Sequence, residues 1–228
     1  MPVLAGQAHP RGPENRPFAE RTVIIYGDTR DCVLSLGYPQ PDGDIVDWTS
    51  NGHYDAVRAK PGLPMLMFDY EYRGHFWQGD FGDVSVTIET IARKPDYPPW
   101  KDLESLLQGI RLQNVICNEV AKHDRSDVRE ERLEPFVSEL NGIPCVRQYV
   151  SWGYDPQGKW LYYFPIDEDH ALILFVEFVD NKIPGQPPSD WRPRAEAFAN
   201  RLLATVQVHW KPRKPEVERS PSIGVPNA

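Results

Sequence analysis

PCVRQYVSW (144–152), KWLYYFPI (159–166) and ALILFVEFV (171–179) are three runs rich in β-branched and aromatic residues. Asp155-Pro156-Gln157-Gly158 separates the first two; proline presets one backbone angle of a tight turn and glycine accepts a positive one. Asp167-Glu168-Asp169-His170 separates the second from the third. Connections this short join antiparallel neighbours, because parallel strands need a crossover of a dozen residues or more. The spacing therefore predicts a three-stranded meander. Leu172 to Val176 is apolar on both faces, as in a strand interior to a sheet.

Upstream, Val84, Val86 and Ile88 alternate through Thr90. From Met65 to Tyr72, alternation puts Leu66, Phe68, Tyr70 and Tyr72 on one face and Met65, Met67, Asp69 and Glu71 on the other. Gly79 to Gly82 reads as a turn. Val23–Tyr26, Cys32–Leu36 and Tyr54–Ala59 read as earlier strands. The period changes after Pro98-Pro99: Trp100, Leu103, Leu106, Leu107 and Ile110 follow helical spacing. Residues 113–121 are apolar without a clear period, and the mixed charges of 122–134 suit a solvated loop or helix face. Residues 183–188 read as a loop. Trp191, Ala195, Phe198, Ala199, Leu202 and Leu203 mark a second helix, and Val206 and Val208 a last short strand. This order predicts an α+β fold with a largely antiparallel sheet and two main helices.

Of the 228 residues, 23 are proline, about twice the usual ~5%. They crowd residues 1–21 and 211–228, which read as flexible tails flanking a single domain over 22–210. Two half-domains meeting near residues 95–125 are the alternative. The net charge is −8, and removing the mildly basic tails leaves 18 basic against 29 acidic residues, or −11. That balance excludes a nucleic-acid binder, which needs a basic face. No apolar run reaches membrane-spanning length. Read as written, the chain is cytoplasmic. If residues 1–8 are the end of a signal peptide, with Gly6 and Ala8 before His9, it is periplasmic. Leu4-Ala5-Gly6 also imitates a lipoprotein box, with Gln7 in place of cysteine.

No phosphate loop, dinucleotide fingerprint or zinc-protease helix occurs. Ser35 in VLSLG (33–37) imitates a nucleophile elbow without its first glycine. Cys32, Cys117 and Cys145 show no metal-site or disulfide-framework spacing and read as packed thiols, with one bridge of unassigned pairing as the alternative in an oxidising compartment. Asp167, Glu168 and Asp169 beside His170 lack a full calcium-loop pattern. No catalytic residue, metal or cofactor is therefore expected. The alternative is a hydrolase using a cysteine or a carboxylate/histidine site. The stronger signal lies in residues 28–83, with ten Asp/Glu against four Lys/Arg and interleaved aromatics. Asp44, Asp47, Trp48, Asp69, Tyr70, Glu71, Tyr72, Trp77 and Asp80 form the candidate surface for a protein partner with a basic face.

Residues 84–208 also carry a layout: a helix with Trp100, a Gly142-led strand (LNGIPCVRQYVSW), a strand with Tyr162-Tyr163, the apolar Leu172–Val176, and the helix-to-strand segment Trp191–Val208. This layout resembles the PsbP/Mog1-like group of bacterial proteins, including immunity-like proteins of type VI secretion. The resemblance implies a sandwich fold and a binding role, such as an immunity protein that inhibits a secreted toxin. It implies no catalytic residues.

Overall fold

The computed structural model describes residues 8–43, 45–59, 64–74, 79–123, 130–152, 158–181, 186 and 188–212. Its strands are β1 (Ala19–Tyr26), β2 (Arg30–Tyr38), β3 (Val46–Asp47), β4 (His53–Asp55), β5 (Pro64–Arg73) and β6 (Asp80–Ala92), then β7 (Glu130–Arg132), β8 (Phe136–Leu140), β9 (Ile143–Trp152), β10 (Gly158–Pro165), β11 (His170–Asp180) and β12 (Gln207–Pro212). Helix α1 (Leu103–His123) lies between β6 and β7, and α2 (Trp191–Leu203) between β11 and β12. The fold is α+β. Every named strand pair is antiparallel among the described residues except β1 with β4.

Two sheets form. The smaller runs β12-β2-β1-β4 and the larger β3-β5-β6-β11-β10-β9-β7, with β8 also on β9. The β9-β10-β11 meander is present, and β11 is interior between β6 and β10. The 155–158 turn falls mostly outside the described residues, as does the 183–188 loop. Alternation in β5 holds from Leu66 on: Leu66, Phe68, Tyr70 and Tyr72 are all buried, opposite Ile88, Val86, Val84 and Gly82, whereas Met65, expected on the other face, is buried too, at the register irregularity between Pro64 and Leu66. One core joins this inner face to the small sheet and α2, with Ile25, Leu34 and Phe198 fully buried in it. On the opposite face, Trp100, Leu106, Leu107 and Ile110 pack α1 on Val146, Val150, Leu161, Tyr163 and Ile173. The large sheet is thus sandwiched, and its β5-β6 end extends beyond the residues that α1 covers.

Four readings change. Gly82 is a strand residue inside β6, not part of a turn. A Cβ there would meet the Trp191 ring at 2.4–2.6 Å, so its absence lets α2 lie on the sheet. Gly82→Ala is expected to destabilise by about 1–3 kcal/mol through overpacking, read from the urea midpoint. The third early strand, expected over 54–59, is only β4, His53–Asp55. Residues 113–123 continue α1, and Glu130–Arg132, in the charged run read as a loop or helix face, form strand β7.

The fourth concerns the ends. Residues 8–21 are not an unpacked tail. Ala8 N–H donates to Pro188 O (2.7 Å), Arg11 and Arg73 exchange backbone bonds (2.6 and 2.9 Å), and Arg194 Nη1 donates to Pro10 O (2.6 Å). Proline lacks an N–H but keeps an accepting carbonyl, and these carbonyls are used. Likewise Lys211 and Pro212 belong to β12 rather than to a tail; residues 213–228 lie outside the described part.

Asn141 and Gly142 turn the chain from β8 into β9 with φ of 54° and 75°, the left-handed pair a two-residue hairpin requires. Asn141 Nδ2 also donates to Leu203 O (2.7 Å) and Val206 O (2.9 Å), tying the end of α2 to this turn.

Candidate functional site

The structure divides the predicted partner surface. Asp44 and Trp77 lie outside the described residues. Tyr70 and Tyr72 are 0% exposed and cannot touch a partner. Tyr70 O–H donates to Pro39 O (2.9 Å) and its ring stands edge-on to Phe198 at 4.7 Å; Tyr72 packs near Trp191 at 5.9 Å. Burial raises both phenol pKa values. Period-2 geometry is the reason: a strand that buries Tyr70 and Tyr72 must turn Asp69 and Glu71 the other way. Trp48 is 64% exposed, just past β3. Asp47 is ion-paired with Arg21 and accepts from Thr49 N–H (3.0 Å) and Oγ1 (2.8 Å). Against burial, these bonds hold its carboxyl below the ordinary value. Asp47 lies opposite Leu66, a residue of the buried inner face, and so is on the other side of the sheet from Asp69 and Glu71.

Asp69, Glu71 and Asp80 do come together, with two carboxylates that sequence reasoning did not single out. In register, Asp69 faces Ser85, Ser85 faces Glu177, and Glu177 faces Lys159 across β5, β6, β11 and β10. Glu71 faces Asp83 directly. Like charges opposed on neighbouring strands are destabilising. Arg73 answers Glu71 and reaches Asp80 at 3.8 Å, and Asn181 Nδ2 donates to Asp83 at 2.5 Å. Burial, then the negative charge of Glu71, Asp80 and Asp69, still push the Asp83 pKa up. Burial does the same to Glu177, with Asp69 adding to it and Lys159 opposing it. This outer face therefore holds carboxylates in a setting that disfavours their ionised form.

On the inner face, β9, β10, β11 and α2 enclose a cleft of about 330 Å³. Arg147 lies over the Trp160 ring at 3.8 Å, and Arg192 over Phe178 at 4.2 Å. Glu196 accepts from Arg192 Nε (2.9 Å). Tyr149 and Trp160 rings meet at 5.0 Å. A Cβ on Gly158 would strike the Tyr149 hydroxyl at 2.1 Å, so this glycine makes room for the tyrosine.

The groups that could carry catalysis are built differently. All three cysteines are free thiols. Burial pushes Cys32 and Cys145 up to about 12, whereas a nucleophilic thiol needs a lowered value. Asp167 Oδ1 accepts from His170 Nδ1 (2.9 Å), His170 N–H (2.7 Å) and Asp169 N–H (2.8 Å), and Oδ2 accepts from Asp28 N–H. The pair shapes the β10–β11 turn and joins it to the small sheet. No group of three or more His, Cys, Asp or Glu among the described residues is arranged to hold a metal ion, and no helix there is long and apolar enough to cross a membrane.

Fold and faces together define an α+β two-sheet domain with an acidic outer sheet face and an arginine-aromatic cleft on its inner side. Comparison of the chain with protein-family models gives no match, and comparison with curated proteins gives none either.

Proposed function

We propose that this chain is a non-enzymatic protein-binding domain that takes a basic partner on the outer face of its large sheet. The observation that carries this reading is the opposition of Glu71 to Asp83, beside the Asp69–Ser85–Glu177 row. Crowded carboxylates with raised pKa values burden the free protein. A basic partner relieves their repulsion and is drawn to them over distance. Trp48 beside Asp47 supplies an exposed aromatic anchor at the same sheet's edge. An immunity protein that neutralises a secreted toxin is the specific form of this function that the layout resemblance suggests. The thiol version of the enzyme alternative is disfavoured by the raised thiols of Cys32 and Cys145.

The test is affinity capture from the source lysate with wild type and with Asp69→Lys/Glu71→Lys. Both side chains lie on the outer face, and the circular dichroism and urea midpoint of the double variant separate lost binding from lost folding, because Glu71→Lys also breaks the ion pair with Arg73. A basic protein should be captured by wild type at low salt and lost with the double variant, and binding should weaken steeply as salt rises. Capture that survives both charge reversal and high salt refutes the proposal.

A further inference from the structure

We infer that the cleft between the inner sheet face and α2 is a small-molecule site for a monoanionic carboxylate on a flat aromatic body. Among the described residues, Nε of Arg147 and Nη1 of Arg192 are buried without a hydrogen-bond partner. Buried guanidinium N–H groups are costly to leave unmatched, and both arginines line the same cleft. The guanidinium fork matches a carboxylate in a bidentate geometry.

Charge selects the anion. Arg147 and Arg192 bring two positive charges, and Glu196 neutralises one through its bond to Arg192 Nε. One net positive charge suits a monoanion better than a phosphate dianion. The walls select the body. Tyr149, Trp160 and Phe178 line the cleft, and aromatic walls favour a flat ring. About 330 Å³ is at the small end of ligand pockets. Arg147 is already stacked on Trp160, so the cation is pre-placed and little ordering is needed on binding.

The site is independent of the acidic face, which lies on the other side of the sheet. Isothermal titration of the full chain with 2-naphthoate tests it, with 2-naphthalenemethanol and inorganic phosphate as comparison ligands. Saturable binding of naphthoate is expected, with the neutral alcohol at least about tenfold weaker and phosphate unable to displace it. Arg192→Gln should weaken naphthoate about tenfold or more. Glu196→Gln should strengthen it, because the competing internal carboxylate is gone; a gain cannot come from misfolding. No saturable binding below about 10 mM, equal binding of the alcohol, displacement by phosphate, an unaffected Arg192→Gln, or weaker binding to Glu196→Gln each overturns the inference.

Discussion

Replacing Asp167 with alanine is expected to lower the unfolding free energy by about 3–5 kcal/mol, the usual effect of breaking a buried, hydrogen-bonded charge pair from one side. The Asp167 side chain is 1% exposed and that of His170 11%. Alanine strands four donors at once: the amides of Asp28, Asp169 and His170, and His170 Nδ1. The turn they shape is a junction. Arg30 donates to Ile166 O and Pro165 O, Trp210 Nε1 to Pro165 O (2.7 Å), and Arg93 pairs with Asp169 (2.6 Å). Losing it loosens the small sheet, the large sheet and the approach to α1 together. Asp167→Asn keeps one acceptor and should be milder.

The same pair sets a pH window. Against burial, hydrogen bonds from His170, Asp28 and Asp169 lower the Asp167 pKa. Its contribution is present above the ordinary 3.8 and is lost as pH falls through the lower folded value. The bond to Asp167 raises the His170 pKa against burial, with Asp169 and Asp28 adding to it. That contribution is complete below the ordinary 6.5 and is lost as pH rises through the folded value. Both are in full effect between 3.8 and 6.5. Chemical denaturation across about pH 3 to 8 should show wild type losing stability at both flanks and Asp167→Ala losing less. Parallel curves would show that the pair does not couple to folding.

Phe198→Ala is expected to cost about 3–5 kcal/mol as a large-to-small core substitution. Its ring is 0% exposed, edge-on to Tyr70 at 4.7 Å and 6.2 Å from Phe18. It therefore links α2, β5 and the segment leading into β1. Residues 8–18 bring only Ala8 and Phe18 to this core, so little apolar side chain is at hand to refill the cavity. A urea midpoint shift equivalent to less than about 1 kcal/mol would mean that α2 is not held by this contact.

Strands were legible wherever one face is buried. The Met65–Tyr72 alternation placed every inward residue from Leu66 to Tyr72 correctly, and the 144–179 meander followed from turn chemistry. Applied strictly, the same alternation would have separated Tyr70 and Tyr72 from Asp69 and Glu71; composition over 28–83 pooled residues that pleating places on opposite faces. The second half of α1 escaped for another reason. Leu112, Val115 and Ile116 are exposed (46, 62 and 45%) on the side away from Leu106 and Ile110, which blurs the helical period. Glu177 and the Arg147/Arg192 cleft were invisible because their members meet only through strand register and the docking of α2. The packed residues 8–18 were hidden by prolines, whose use here as acceptors leaves no periodic trace.

Under the proposed function, the outer carboxylates serve a partner and not the fold. Glu177→Gln tests it most directly without the partner in hand. A carboxyl whose folded pKa is raised is destabilising when ionised, and that penalty vanishes below its ordinary value of 4.5. The urea midpoint at pH 7 should therefore rise for Glu177→Gln over wild type, and the gain should disappear near pH 3. A midpoint that falls at pH 7 would make Glu177 a structural partner of Lys159 and contradict the assignment of this face to binding.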